Sequence, residues 1–271
     1  MSGPVIDFLL YLGRLFLLTL GTPLGCGLLV GLFSHLFAKL LGNRSGRVFD
    51  VTSIIGTPVH ELGHALMCPI FDHRIRRIRL WTPHPDDGVY GFVEHTYNPR
   101  NLWARLGNLF IALGPIFSGL GVIVLTLWLC FPTQWSDYLV ATGNLAAKTT
   151  TTAQIWRDLF SLLISIPSAF LENWWRALIG LCIILPVSLH VSLSWADVKG
   201  SLSAFPLYLV LLLLFALPTN LLGWSRSILS ALRLFNLRLL SLFCLVVAFA
   251  AVWVVLALLV WLVRRILRVI F

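Results

Sequence analysis

Between Leu239 and Leu262 the chain carries no charged side chain, and apolar runs of similar character recur from Val5 onward. A helix of about 20 apolar residues crosses the ~30 Å hydrocarbon core of a bilayer. In lipid every backbone amide and carbonyl has to be satisfied within the protein, so repeated runs of this kind fold as helices packed on one another. Charged residues make up 11% of the 271 residues, against roughly 25% in ordinary soluble domains, and hydrophobic residues make up 58%. The expected fold is an all-α polytopic membrane protein with about six transmembrane helices. No polar block of soluble-domain size interrupts it, so residues 1–271 read as a single integral membrane domain.

Spans are expected near residues 24–40, 51–68, 106–130, 177–193, 205–222 and 239–262. Gly21-Thr22-Pro23 breaks the first apolar stretch, which reads as an interfacial or tilted helix followed by a span. The first forty residues do not resemble a cleaved signal: Asp7 interrupts their start, and the apolar character continues too far. The net charge of +9 comes mostly from arginines at segment ends and in loops. Without a basic stripe interleaved with aromatics, the lipid bilayer is the expected partner and nucleic acid is not. Cys26, Cys68, Cys130, Cys182 and Cys244 are scattered, which suits reduced thiols rather than disulfides or a cysteine metal site.

Against this background one helix carries chemistry. His60-Glu61-Leu62-Gly63-His64 places two imidazoles four residues apart, on one helix face, where both can reach the same metal ion. Glu61 projects roughly 100° around the helix from His60, beside that ion, where it can take a proton from water. Ionisable groups at membrane depth are costly and mark function. The alternative, two histidines satisfying one another in a buried helix, leaves the glutamate between them unexplained.

The polar stretch 72–105 opens with Arg74-Ile75-Arg76-Arg77-Ile78-Arg79-Leu80-Trp81, whose near-alternation predicts an edge strand. Pro83, Pro85, Asp86, Asp87 and Gly88 make a turn, and 89–93 returns as a second strand. This gives a short membrane-associated β-hairpin-like loop, with a plain solvated basic loop as the alternative. His73, His84 and His95 are expected to titrate in water there. Gly114-Pro115 in the next span permits close helix contact and frees a carbonyl. Residues 155–166 read as an amphipathic interfacial stretch, with Trp174 and Trp175 as anchors. Arg226, Arg233 and Arg238 fall between the last two spans. Arginine-rich segments flank the histidine helix at both ends, so charge alone does not orient the chain.

A catalytic zinc usually has three protein ligands and an open position. The glutamates besides Glu61 are Glu94, in the polar loop, and Glu172, whose surroundings lack the Glu-x-x-x-Asp pattern of a second-helix ligand. Asp197, which follows an apolar span, is the better third ligand; as an alternative it caps the next helix. His190, about two turns earlier, competes for that role or orients a ligand from behind. Asn108 and Ser118 are candidates for contacting a developing oxyanion, with packing as the alternative for both.

In order along the chain, the His60-Glu61-x-x-His64 helix, a basic β-like loop, a Gly-Pro span and a span ending in an aspartate resemble the site-2-protease-like intramembrane zinc metalloproteases. The resemblance covers roughly residues 56–200. It implies a catalytic core at about 51–200 with accessory helices at 1–41 and 203–271. It also implies one Zn²⁺ per chain held by His60, His64 and Asp197, with Glu61 as general base. Residues 75–93, including Tyr90 and Gly91, would present an extended segment of a membrane-protein substrate. The chain departs from the family in having Ser118 where asparagine is common, in the Trp195-Ala196-Asp197-Val198-Lys199-Gly200 setting, and in lacking a PDZ insert. These place it in a divergent branch. The expected function is hydrolysis of a peptide bond in or near a transmembrane segment, in a multi-pass protein of the cytoplasmic or an equivalent cell membrane that a membrane partner could regulate. The rival readings are a metal or ion transporter and a non-proteolytic zinc-binding scaffold.

Overall fold

Residues 4–85, 88–143 and 152–270 are described by a computed structural model. Asp86, Asp87 and most of the threonine run 149–152 lie outside them. The helices are α1 Pro4–Phe16, α2 Thr22–Leu41, α3 Ser45–Ile70, α4 Leu102–Cys130, α5 Pro132–Gly143, α6 Thr152–His190, α7 Trp195–Leu202, α8 Phe205–Leu221 and α9 Ser225–Ile270. An antiparallel strand pair, β1 Arg74–Arg79 and β2 Phe92–Thr96, follows α3. Among the described residues, four helical stretches are long and apolar enough to cross a membrane, and a fifth arises if α7 and α8, bent by 55°, count as one.

Burial on α3 is the inverse of that in a soluble protein. Thr52, Ser53, Gly56, Thr57, Glu61, Gly63 and His64 turn inward, while Val51, Ile54, Leu62 and Leu66 face outward at 42% to 68% exposure. In water each large apolar side chain left exposed forgoes about 1.5–3 kcal/mol of burial, a loss that hydrocarbon surroundings remove. The polar groups inside are therefore the ones that need a local explanation.

The main core is organised around α4, where Leu113, Ile116, Leu120, Ile123 and Leu127 meet Ile184 and Val187 of α6 and Phe243, Val246 and Phe249 of α9. Asn101 caps α4, its side chain accepting from the amides of Trp103 and Ala104. The break at Gly21-Thr22-Pro23 is a π-helical turn, Leu17–Gly21, that leads directly into α2. Pro23 has no N–H to offer the Leu18 carbonyl in such a turn. Asn236 of α9 takes that role, its Nδ2 donating to Leu18 O at 2.6 Å.

Several sequence expectations are corrected. The 155–166 stretch buries one apolar face in the main core through Ile155, Leu159, Leu162 and Ile166, and leaves Trp156, Phe160 and Ile164 exposed on the other. The reason is its position before Asn173, whose extended backbone (φ −159°, ψ 91°) bends α6 so that the earlier half packs inward. Arg226, Arg233 and Arg238, between the last two expected spans, sit on the continuous helix α9. The hairpin's return strand begins at Phe92, three residues later than expected, because the connection is drawn onto α3. There the Trp81 indole donates to Ser53 Oγ at 2.9 Å, and the Tyr90 hydroxyl donates to Asp50 Oδ1 at 2.6 Å. Desolvation and that carboxylate push the Tyr90 hydroxyl up to about 12, which keeps it a neutral donor.

Candidate metal centre

His60 and His64 lie one turn apart on α3, and the start of α7 brings Asp197 against them. His64 Nε2 is 3.2 Å from His60 Nε2 and 3.2 Å from Asp197 Oδ1; His60 Nε2 is 3.8 Å from Asp197 Oδ2. Among the described residues this is the one group of three or more such side chains whose donor atoms, all within 4.8 Å of one another, could hold a metal ion.

The opposite side of each ring decides what these atoms can do. His60 Nδ1 donates to the His190 carbonyl and His64 Nδ1 to the Ile111 carbonyl, each at 2.8 Å. A neutral imidazole carries one proton, so both Nε2 atoms then present lone pairs. Two lone pairs and a carboxylate face one another with no proton to share between neutral rings. A cation satisfies all three at once, and a buried backbone carbonyl behind a ring is the usual orienting partner of a metal-binding histidine.

Helix defects supply these carbonyls. Pro115 stands four residues after Ile111 and has no N–H, so the Ile111 carbonyl lacks its helical donor and is left for His64. α6 ends at His190, which leaves that residue's carbonyl for His60. Pro115→Ala would return a competing amide to Ile111. Loss of such an outer partner typically costs about 10–100-fold in metal affinity, and partial competition should put this variant near tenfold. Competition with a chromogenic chelator measures it; unchanged affinity would remove the role assigned to the proline.

Asp197 combines the two readings its sequence allowed. It is the third residue of α7, where the Ser194 amide donates to its Oδ2 at 2.8 Å and Ser194 Oγ accepts from its own amide at 3.1 Å. This reciprocal cap fixes the carboxylate while it faces the histidines. The His190 ring is elsewhere, its Nε2 donating to Thr52 Oγ1 at 2.9 Å. Only its backbone reaches the centre.

Compared with protein-family models, curated proteins and solved structures, the chain matches none.

A cavity of about 470 Å³ opens beside the triad, lined by Glu61, Val93, His95 and Asn108 among others. Glu61 is buried, and its carboxylate makes no hydrogen bond among the described residues. Gly91 crosses so close that a Cβ there would lie 2.8 Å from Glu61 Cγ and 2.8 Å from the carbonyls of Arg79 and Leu80. Asn108 Nδ2 makes only long bonds, 3.4 Å to Arg105 O and 3.5 Å to Ser203 Oγ. Ser118 is committed to packing, donating to Val59 O at 2.8 Å, and Tyr90 is held by Asp50 outside the cavity lining.

Of the polar-loop histidines expected in water, His73 is buried and His95 half-buried. His73 is 4% exposed and donates from Nε2 to Ala104 O at 2.7 Å, so its Nδ1 accepts from His95 Nδ1 at 2.8 Å. His95 is left with Nε2 as an acceptor in a ring that lines the cavity. Burial, then His73 and His64, hold the His95 imidazole below its ordinary value. Sequence spacing carried no sign of this pair, because β2 and the start of α4 create it. His84 is exposed as expected, 3.7 Å from Asp50.

Proposed function

We propose that the protein is an intramembrane zinc metalloprotease of the site-2-protease type, cleaving a peptide bond in or near a transmembrane segment of another membrane protein. The observation that carries this is the convergence of two imidazole lone pairs and the Asp197 carboxylate beside Glu61, whose carboxylate is free to face a cavity. A tetrahedral zinc site with bonds of ~2.0–2.1 Å has ligand–ligand edges of about 3.3 Å. Two separations here are of that length, His64 Nε2 lying 3.2 Å from His60 Nε2 and 3.2 Å from Asp197 Oδ1. Zinc bound there would polarise the scissile carbonyl and acidify water toward a pKa of ~7.

The chain's own groups do the rest. Glu61 takes the proton of the attacking water and delivers it to the departing amide nitrogen. Asn108, held only by long bonds, is placed to donate to the developing oxyanion. The segment from Val89 to Val93 borders the same cavity and would hold the substrate extended, since helical amides are shielded from attack.

The test uses the full chain reconstituted with single-span reporter proteins, with zinc content and cleavage read on the same samples. Glu61→Gln should keep the metal and lose about 10²–10⁴-fold in cleavage rate, the range for a general base. Undiminished cleavage by that variant would falsify the assignment. A zinc-loaded wild type that cleaves none of the reporters would favour the non-proteolytic scaffold.

A further inference from the structure

Where α2 and α9 end together, a cavity of about 540 Å³ is lined by Lys39, Arg44, Trp261, Arg264 and Arg265, with residues 40–43 between. This is within the ~300–1,000 Å³ range of small-molecule sites. Its charged groups are all cations. None of these four makes an ion pair or a side-chain hydrogen bond among the described residues, and Arg265 has only the Trp261 ring, 5.2 Å from its guanidinium carbon. The nearest acid along the chain from Arg44 is Asp50, which is already engaged by Tyr90 and His84.

Helix ends account for little of this excess. Lys39 lies in the last turn of α2, where carbonyls attract a cation. Arg264 and Arg265 lie before the last turn of α9, beyond the short reach of that effect. Four like charges around one cavity repel one another until an anion enters.

The surface beside the cavity narrows the choice of anion. From Trp261 toward the middle of α9, Leu256, Leu259 and Val260 face outward with no charged residue among them, an apolar strip that also runs on past the cations through Val263 and Ile266. Tryptophan beside cations near the end of an apolar helix suits headgroup depth, and basic pockets between helices at that depth suit anionic lipid. We propose that this cavity holds the phosphate of an anionic phospholipid whose acyl chains lie along α9.

The claim is independent of proteolysis and is tested by binding alone. Full-length protein in neutral detergent is titrated with short-chain phosphatidylglycerol, short-chain phosphatidylcholine or inorganic phosphate, and retained ligand is read by native mass spectrometry. Phosphatidylglycerol should be retained at least about tenfold more tightly than phosphatidylcholine, and inorganic phosphate should not displace it. K39Q/R264Q/R265Q should lose that preference, while R226Q/R233Q at the start of α9 should keep it. R265Q alone should weaken it, which covers the case of a triple variant that does not fold. Equal retention of both lipids, or an unchanged preference in R265Q and the triple variant, overturns the proposal. Displacement by millimolar phosphate also overturns it, assigning the cavity to a soluble phosphate ester.

Discussion

Replacing Asp197 with alanine should empty the metal centre as completely as replacing His64. Each variant removes one of three converging acceptors, and a site reduced to two protein ligands falls below the number that catalytic zinc sites ordinarily keep. Metal analysis of purified protein should fall from about one ion per chain to near zero in His60→Ala, His64→Ala and Asp197→Ala. His190→Ala should retain the ion, because the group that reaches His60 is the His190 carbonyl, and its ring is bonded to Thr52. Asp197→Asn is the sharper form: it keeps an oxygen at the site while removing the charge, so weakened binding with α7 intact isolates the electrostatic share. Zinc lost in His190→Ala and kept in Asp197→Ala would reverse the ligand assignment.

The second large effect is expected where α3 crosses α4. A Cβ on Gly63 would stand 2.5 Å from the Gly114 carbonyl carbon and 2.5 Å from Ser118 Oγ; one on Gly114 would press on the Gly63 carbonyl. Backbone cannot yield as a side-chain tip can, so the helices would have to separate. Overpacking a core commonly costs about 1–3 kcal/mol, and a backbone-to-backbone clash lies at or above the top of that range. Separation would also pull Val59 from Ser118 and His64 from Ile111, breaking bonds of 2.8 Å in each case. Gly63→Val and Gly114→Val should therefore abolish monodisperse folded protein, read by size-exclusion profile and thermal melting. Melting at the wild-type temperature would show that the crossing adjusts freely. The glycines are retained despite a helix cost of about 1 kcal/mol each, which fits a contact no other residue permits.

The helical, apolar architecture is legible in the spacing of uncharged runs, and the His60-Glu61-x-x-His64 pentad in a single line of sequence. Asp197 stood out as a carboxylate at the end of an apolar span, though nothing in the sequence gave its distance from the pentad. What escaped the sequence depended on partners remote along the chain. The return strand shifted because Trp81 and Tyr90 reach back to Ser53 and Asp50. His73 left solvent because Ala104 and His95 close over it. The 155–166 helix has the same amphipathic pattern whether it faces lipid headgroups or a protein core, so periodicity could not choose between them. Pro115 was visible as a helix irregularity, but the use made of the carbonyl it frees was not.

Because His64 is oriented by a carbonyl of α4 and His60 by a carbonyl of α6, the two imidazoles are indexed to different helices. A displacement of α6 against α4 would turn one ring and leave the other in place. The spacing of the two rings is thus a gauge of how those two helices stand relative to each other.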